Sequence, residues 1–337
     1  MSKKFIALAV IVMLLAVGFL AGCESEEEPP DINIEGIGSY LKKFDDVSFD
    51  NMPINASIAQ GSDKVAAFMH IMEVATTNWE RADYVAKISS GGGEAYTAGM
   101  GGKMKVRSRY IRNNDTFYYE IAGRIYEANP PAALDAAQGM LNQGRREYSP
   151  DMETFYQQEP GNKGDPMMKE EFPFYSCDYS KGDLETFNKE QWKEEKQVKE
   201  KIGEFTSFVF NGDTVKDIEI DYDDDEEYYT LKFALNLEDE EAREIATEFP
   251  RASLRKIADP KDEIPEDKKI QYKKYEYTMQ IYDNGLIRTI STEESWEGLL
   301  KVWIFELEGS SQSKNTDYYS WDPEDCSLED IDFDWID

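Results

Sequence analysis

Three cysteines, one histidine and 69 Asp or Glu side chains are the groups with which this chain could do chemistry, and their spacing excludes most of it. A zinc centre needs several ligands at short spacing, such as His-Glu-x-x-His or Cys-x-x-Cys, and neither motif occurs. Hydrolases built on a nucleophile elbow need Gly-x-Ser-x-Gly, which is absent. The glycines before Lys103 are not a phosphate loop, because a Walker motif would need Gly where Thr97 stands and Ser or Thr where Met104 stands. The runs Asp221 to Glu227 and Asp330-x-Asp332-x-Asp334 alternate carboxylates as calcium ligands do. Counted from Asp221, the sixth and twelfth positions of an EF-hand loop hold Glu226 and Lys232 instead of Gly and Glu; from Asp330 the sixth is Trp335. Carboxylate pairs could serve a glycosidase, but in so acidic a chain such pairs are unavoidable. His70 lies in a helical pattern with no identifiable partner, so a structural or surface role is expected. No catalytic residue, metal or cofactor is expected, and the chain reads as a non-enzyme.

Cys23 stands in a different context. Lys3 and Lys4 precede a run from Phe5 to Leu20 without a charged residue, and small residues follow, which is the pattern of a secretory signal peptide. Leu20-Ala21-Gly22-Cys23 resembles a bacterial lipobox. The resemblance implies cleavage after Gly22, a diacylglycerol on the Cys23 sulfur, and a location on the extracytoplasmic face of the cell membrane. Removing Lys3 and Lys4 with the leader leaves 35 basic against 69 acidic residues, a net charge of −34. Such a surface is repelled by nucleic acid and by anionic lipid. Attachment must then come from acyl chains, and two chains are needed to make it stable. The other cysteines, Cys177 and Cys326, could form a disulfide in an exported protein.

The elements that follow can be taken in order. Residues 23–32 are acidic and lack a hydrophobic cluster, so they read as a flexible tether. Residues 33–316 read as one antiparallel-sheet domain, with a soft boundary between two halves near 180–203. Residues 317–337 read as an acidic, aromatic C-terminal tail. Within the domain, Val65, Phe68, Met69, Met72, Val74, Ala75 and Trp79 recur at helical spacing behind a cap at Ser62 or Asp63. Strands dominate afterwards. Lys103 to Arg112 puts Met104, Val106 and Tyr110 on one face and Lys103, Lys105, Arg107 and Arg109 on the other, with an acidic segment of the same chain as the expected partner of the basic face and an anionic ligand as the alternative. Asn113-Asn114-Asp115, Asn211-Gly212-Asp213 and Asp283-Asn284-Gly285 read as hairpin turns. Tyr229, Leu231, Phe233, Leu235 and Leu237 alternate with polar residues, as do Tyr275, Tyr277, Met279 and Ile281.

The expected fold is therefore α+β, with long curved antiparallel sheets packed on a few helices. Over residues 63–310 the layout resembles the half-barrel lipoproteins of the LolA, RseB and LppX type. That resemblance implies a curved sheet wrapped around helices and able to enclose an acyl chain. Tyr229, Phe233, Tyr277 and Met279 would line the cavity, and the ligand would be a lipid or another apolar molecule. The alternative is an envelope protein-interaction or structural lipoprotein that uses its C-terminal tail as the contact. An extracellular hydrolase ranks behind both.

Overall fold

In a computed structural model, residues 39–97, 100–130, 143–159, 169–171, 174–176, 179, 182–196, 210–240, 242, 271–302 and 305–336 are described. The lipobox, the tether and Cys177 lie outside them.

The first long element is set by its cap and its apolar stripe. Asp63 is extended, and its side chain accepts from Ala66 N at 3.1 Å, opening helix α2 (Lys64–Arg81) behind the single turn α1 (Ala56–Ala59). Such a cap stabilises a helix by about 1 kcal/mol. Phe68, Ile71, Met72, Val74, Ala75, Asn78 and Trp79 are buried. Val65 and Met69, read as part of the stripe, point outward and are 43% and 41% exposed. The buried arc is wider on the other side, where Ala67, Ile71 and Asn78 are fully covered. His70 is buried and its Nε2 accepts from Asn55 N at 2.8 Å, tying α1 to α2, so its role is structural.

The sheet is one open, eleven-stranded antiparallel surface. In chain order its strands are β1 (Tyr84–Thr97), β2 (Met100–Asn113), β3 (Thr116–Asn129), β4 (Gln143–Ser149), β5 (Thr154–Gln158), β8 (Leu184–Asn188), β9 (Val215–Asp223), β10 (Tyr228–Leu235), β11 (Gln271–Tyr282), β12 (Ile287–Val302) and β13 (Phe305–Ser320). A separate two-stranded ribbon joins β6 (Lys169–Glu171) to β7 (Phe174–Ser176). The spatial order β8-β5-β4-β3-β2-β1-β13-β12-β11-β10-β9 shows that the two halves are joined where β1 pairs with β13. The fold is α+β and half-barrel-like, as the pattern predicts.

The expected turns between β2 and β3 and between β11 and β12 are present. Gly285 is needed in the second: its φ is +85°, and a Cβ there would sit 2.0 Å from Met52 O. Asn78 locks this turn from the helix, accepting from Met52 N at 2.7 Å and donating to Met52 O at 2.9 Å and Gly285 O at 2.8 Å. On β2, Lys103 pairs with Glu127 of β3 at 3.2 Å, so its acidic partner comes from the same chain.

Two clusters use opposite faces of the sheet. On the helix face, α2 packs on Val85, Tyr229, Leu231, Phe233, Tyr277, Met279 and Ile281. On the other face, Tyr40, Ala86, Ile88, Ile111 and Tyr118 surround Cys326. The short helix α3 (Lys189–Lys196) is opened by a reciprocal capping pair between Asn188 and Gln191 and stacks Trp192 on Phe155 of β5.

The C-terminal segment is not a separate tail. Asp317 to Ser320 complete β13, and the chain then folds back over the second face. Trp321 is buried and donates from Nε1 to Ile287 O at 2.8 Å. Phe333 sits 4.3 Å from the Tyr148 ring, and Arg146 lies between the rings of Trp335 (4.4 Å) and Tyr179 (4.5 Å). Composition suggests a solvated, acidic end, but each turn of it carries one aromatic or aliphatic anchor that finds a place on the sheet.

Candidate functional site

Directly paired residues of an antiparallel sheet share a face, so the register reads out what the helix face presents. Under α2 that surface is core. Phe233 meets Phe68 at 5.1 Å and Phe210 at 4.8 Å, edge to face in each case, and stacks on Tyr277 at 4.8 Å. Tyr229, Phe233, Tyr277 and Met279 are no more than 3% exposed. The expected cavity lining is corrected on this point: the strand pattern identifies the face, but α2 carries the matching apolar stripe and packs on it.

The chemistry changes along the same face. Three successive rows cross β11, β12, β13, β1 and β2. One holds Tyr272, Trp296, Ser311, Ala95 and Gly102. The next holds Tyr275, Glu294, Ser313, Gly93 and Met104. The third holds Tyr277, Thr292, Asn315, Gly91 and Val106. Aromatic rings on β11 and β12 thus border a floor made from the smallest side chains of β13 and β1.

Three polar atoms in this patch are buried without a hydrogen-bond partner: Tyr277 Oη, Trp296 Nε1 and Ser311 Oγ. Their residues are 1%, 2% and 3% exposed. Between them lies Glu294, whose Oε1 accepts from Ser313 Oγ at 2.7 Å. Burial pushes the Glu294 carboxyl above the usual carboxylate range, against the opposing pull of the Ser313 hydrogen bond and of the neighbouring Tyr272 hydroxyl. Two rows further along, Lys87 and Asp317 form a half-buried ion pair at 3.1 Å. On the far side of β3, Arg145 Nε lies 2.5 Å from the buried Glu147 carboxylate.

Native proteins pair nearly all their buried polar groups, and each exception calls for an explanation such as a water or a ligand. Three exceptions on one patch, beside a carboxyl held toward its neutral form, make this the candidate site. It can hydrogen-bond and stack. Among the described residues no set of three or more His, Cys, Asp or Glu side chains is placed to hold a metal ion, and no helix is long and apolar enough to cross a membrane.

Sequence reasoning names Tyr277 but misses Trp296, Glu294 and Ser311. A usable signal exists on β12, where Thr292, Glu294 and Trp296 share one parity, so a carboxylate travels with a tryptophan on a buried face. Ser311 carries no such signal, because Gly309-Ser310-Ser311-Gln312-Ser313 has the composition of a linker.

Of the other candidates, Cys326 is a free thiol, wholly buried, and burial pushes it up, away from the reactive thiolate. Its proposed partner Cys177 and the lipobox residues Leu20, Ala21, Gly22 and Cys23 lie outside the described residues. No protein-family model matches the chain, and no curated relative matches it.

Proposed function

We propose that the protein is an extracytoplasmic lipoprotein, anchored through lipid on Cys23, that binds a ligand on the helix face of its sheet and catalyses no reaction. The lipobox and the −34 charge of the mature chain support the anchor, since the acidic surface offers no other hold on a membrane. The observation that carries the binding role is the trio of buried, unmatched polar atoms on Tyr277, Trp296 and Ser311. Leaving such a group unpaired costs about 1–3 kcal/mol, so the trio marks the part of the face that the protein's own side chains satisfy least. The ligand of this reading is less apolar than the strand pattern suggests, because the apolar part of the face is already filled by α2.

Native mass spectrometry of the full-length, detergent-extracted protein tests the proposal. The expected spectrum shows a population heavier than the lipidated chain by one discrete mass, which disappears on denaturation. A single species at the mass of the lipidated chain, under gentle and denaturing conditions alike, would contradict it.

A further inference from the structure

We infer that the face of the sheet opposite α2 carries a docking surface for an acidic, aromatic peptide segment of another protein, and that residues 328–337 of this chain occupy it in cis. The surface is built on β3 and β4. Tyr118 pairs with Tyr148, and Glu120 with Arg146, so these four residues share a face. Gln158 of β5, paired with Arg146, accepts from its Nε at 2.9 Å and from its Nη2 at 2.6 Å, which fixes the plane of the guanidinium. Arg109 lies 5.5 Å from the centre of the Tyr118 ring. In a chain of net charge −32, two guanidinium groups among tyrosine rings are a local reversal of sign.

The cis occupant shows which chemistry this surface accepts. Phe333 lies 4.3 Å from the Tyr148 ring and meets Tyr118 edge to face at 6.0 Å. Trp335 covers the Arg146 guanidinium at 4.4 Å, and Tyr179 approaches it at 4.5 Å. Burial pushes that guanidinium down from its ordinary range, and Asp332 is among the groups that pull it back. The pattern met is Asp332-Phe333-Asp334-Trp335, two aromatic residues two positions apart with a carboxylate before each.

The same stretch is the part of the C-terminal segment least fixed to the sheet. Trp321 and Cys326 are 3% and 0% exposed, whereas Leu328, Ile331 and Phe333 are only partly buried. Its backbone hydrogen bonds close on itself: Ile331 N donates to Leu328 O, Asp334 N to Asp332 Oδ1 and Ile336 N to Phe333 O. Among the described residues, none of its backbone groups bonds to a strand. Trp335 Nε1 is buried without an acceptor, so the match is imperfect at the last anchor. A stretch held by a few half-buried side chains opens at lower cost than the sheet beneath it. Its closed state reduces the apparent affinity for a partner in proportion to its population and does not abolish binding.

The test compares the full-length, detergent-extracted protein with a form ending at Ser327, which keeps Trp321 and Cys326. The probe is a fluorescent peptide with the sequence of Leu328 to Asp337, followed by polarisation. The shortened chain should bind it, and the parent at least tenfold more weakly because its surface is occupied. Arg146→Gln in the shortened chain, or Phe333→Ala with Trp335→Ala in the peptide, should each weaken binding at least tenfold. No binding by the shortened chain, equal binding by the parent, or indifference to both sets of substitutions would overturn the inference. Self-association of the shortened chain without peptide would overturn it too, by making the uncovered face an interface between copies. The form ending at Ser327 should also melt well above one ending at Ser320. If the two melt together, residues 328–337 are integral to the fold and the inference fails.

Discussion

Replacing Trp79 by alanine is expected to lower stability by about 3–5 kcal/mol, the range for removing a large buried aromatic. Trp79 is 3% exposed and stands where helix and sheet meet. Its ring lies 5.8 Å from Tyr110 of β2, 5.8 Å from Tyr319 of β13 and 6.4 Å from Trp321, with the Arg112 guanidinium 5.0 Å from its centre. Arg112 also donates to the Trp79 carbonyl oxygen. Trp79 thus touches both halves of the sheet at their seam, on β2 and on β13. Thermal melting followed by circular dichroism would show the loss. A midpoint within a degree or two of the parent would mean that α2 does not pack as described.

Truncation after Ser320 is expected to be as damaging. A free acidic tail could be removed without effect, or even with benefit from reduced self-repulsion. Here the cut would delete Trp321, strip the cover from Ile88, Ile111 and Tyr118, and remove the ring that packs on Tyr148. Trp321 alone accounts for several kcal/mol on the same scale. Limited proteolysis should find the truncated chain cleaved throughout the sheet while the parent resists. Equal resistance would restore the segment to the status of a tail, and with it the idea of a partner contact.

These two results concern the parts of the fold that sequence reading grasped least evenly. The alternating runs at Tyr229 to Leu235 and Tyr275 to Ile281, the turns at Asn114 and Gly285, and the cap at Asp63 were all legible, because each follows from a local rule of period or turn chemistry. The centre of the sheet was not. Ser89 to Gly93 and Gly309 to Ser313 lack the branched and aromatic residues that mark strands, yet Ser89 to Gly93 pair with Asp317 to Ser313 and Gly309 to Ser313 with Thr97 to Gly93 across β1 and β13. Neither segment is recognisable without its partner. The small-residue floor of the candidate site is a product of that pairing, which explains why Ser311 escaped notice. The misplaced cavity has a related cause: Phe233 and Tyr277 declare a buried face, but what buries it depends on where α2 lands.

The binding role has meaning only if the domain works at a membrane, and its own acidic surface cannot hold it there. Fractionation of cells expressing Cys23→Ala beside the parent tests that premise most directly. The parent should sediment with membranes and resist extraction by salt, while the variant should move to the soluble extracytoplasmic fraction or the medium. A Cys23→Ala protein that stayed with the membranes would contradict the account.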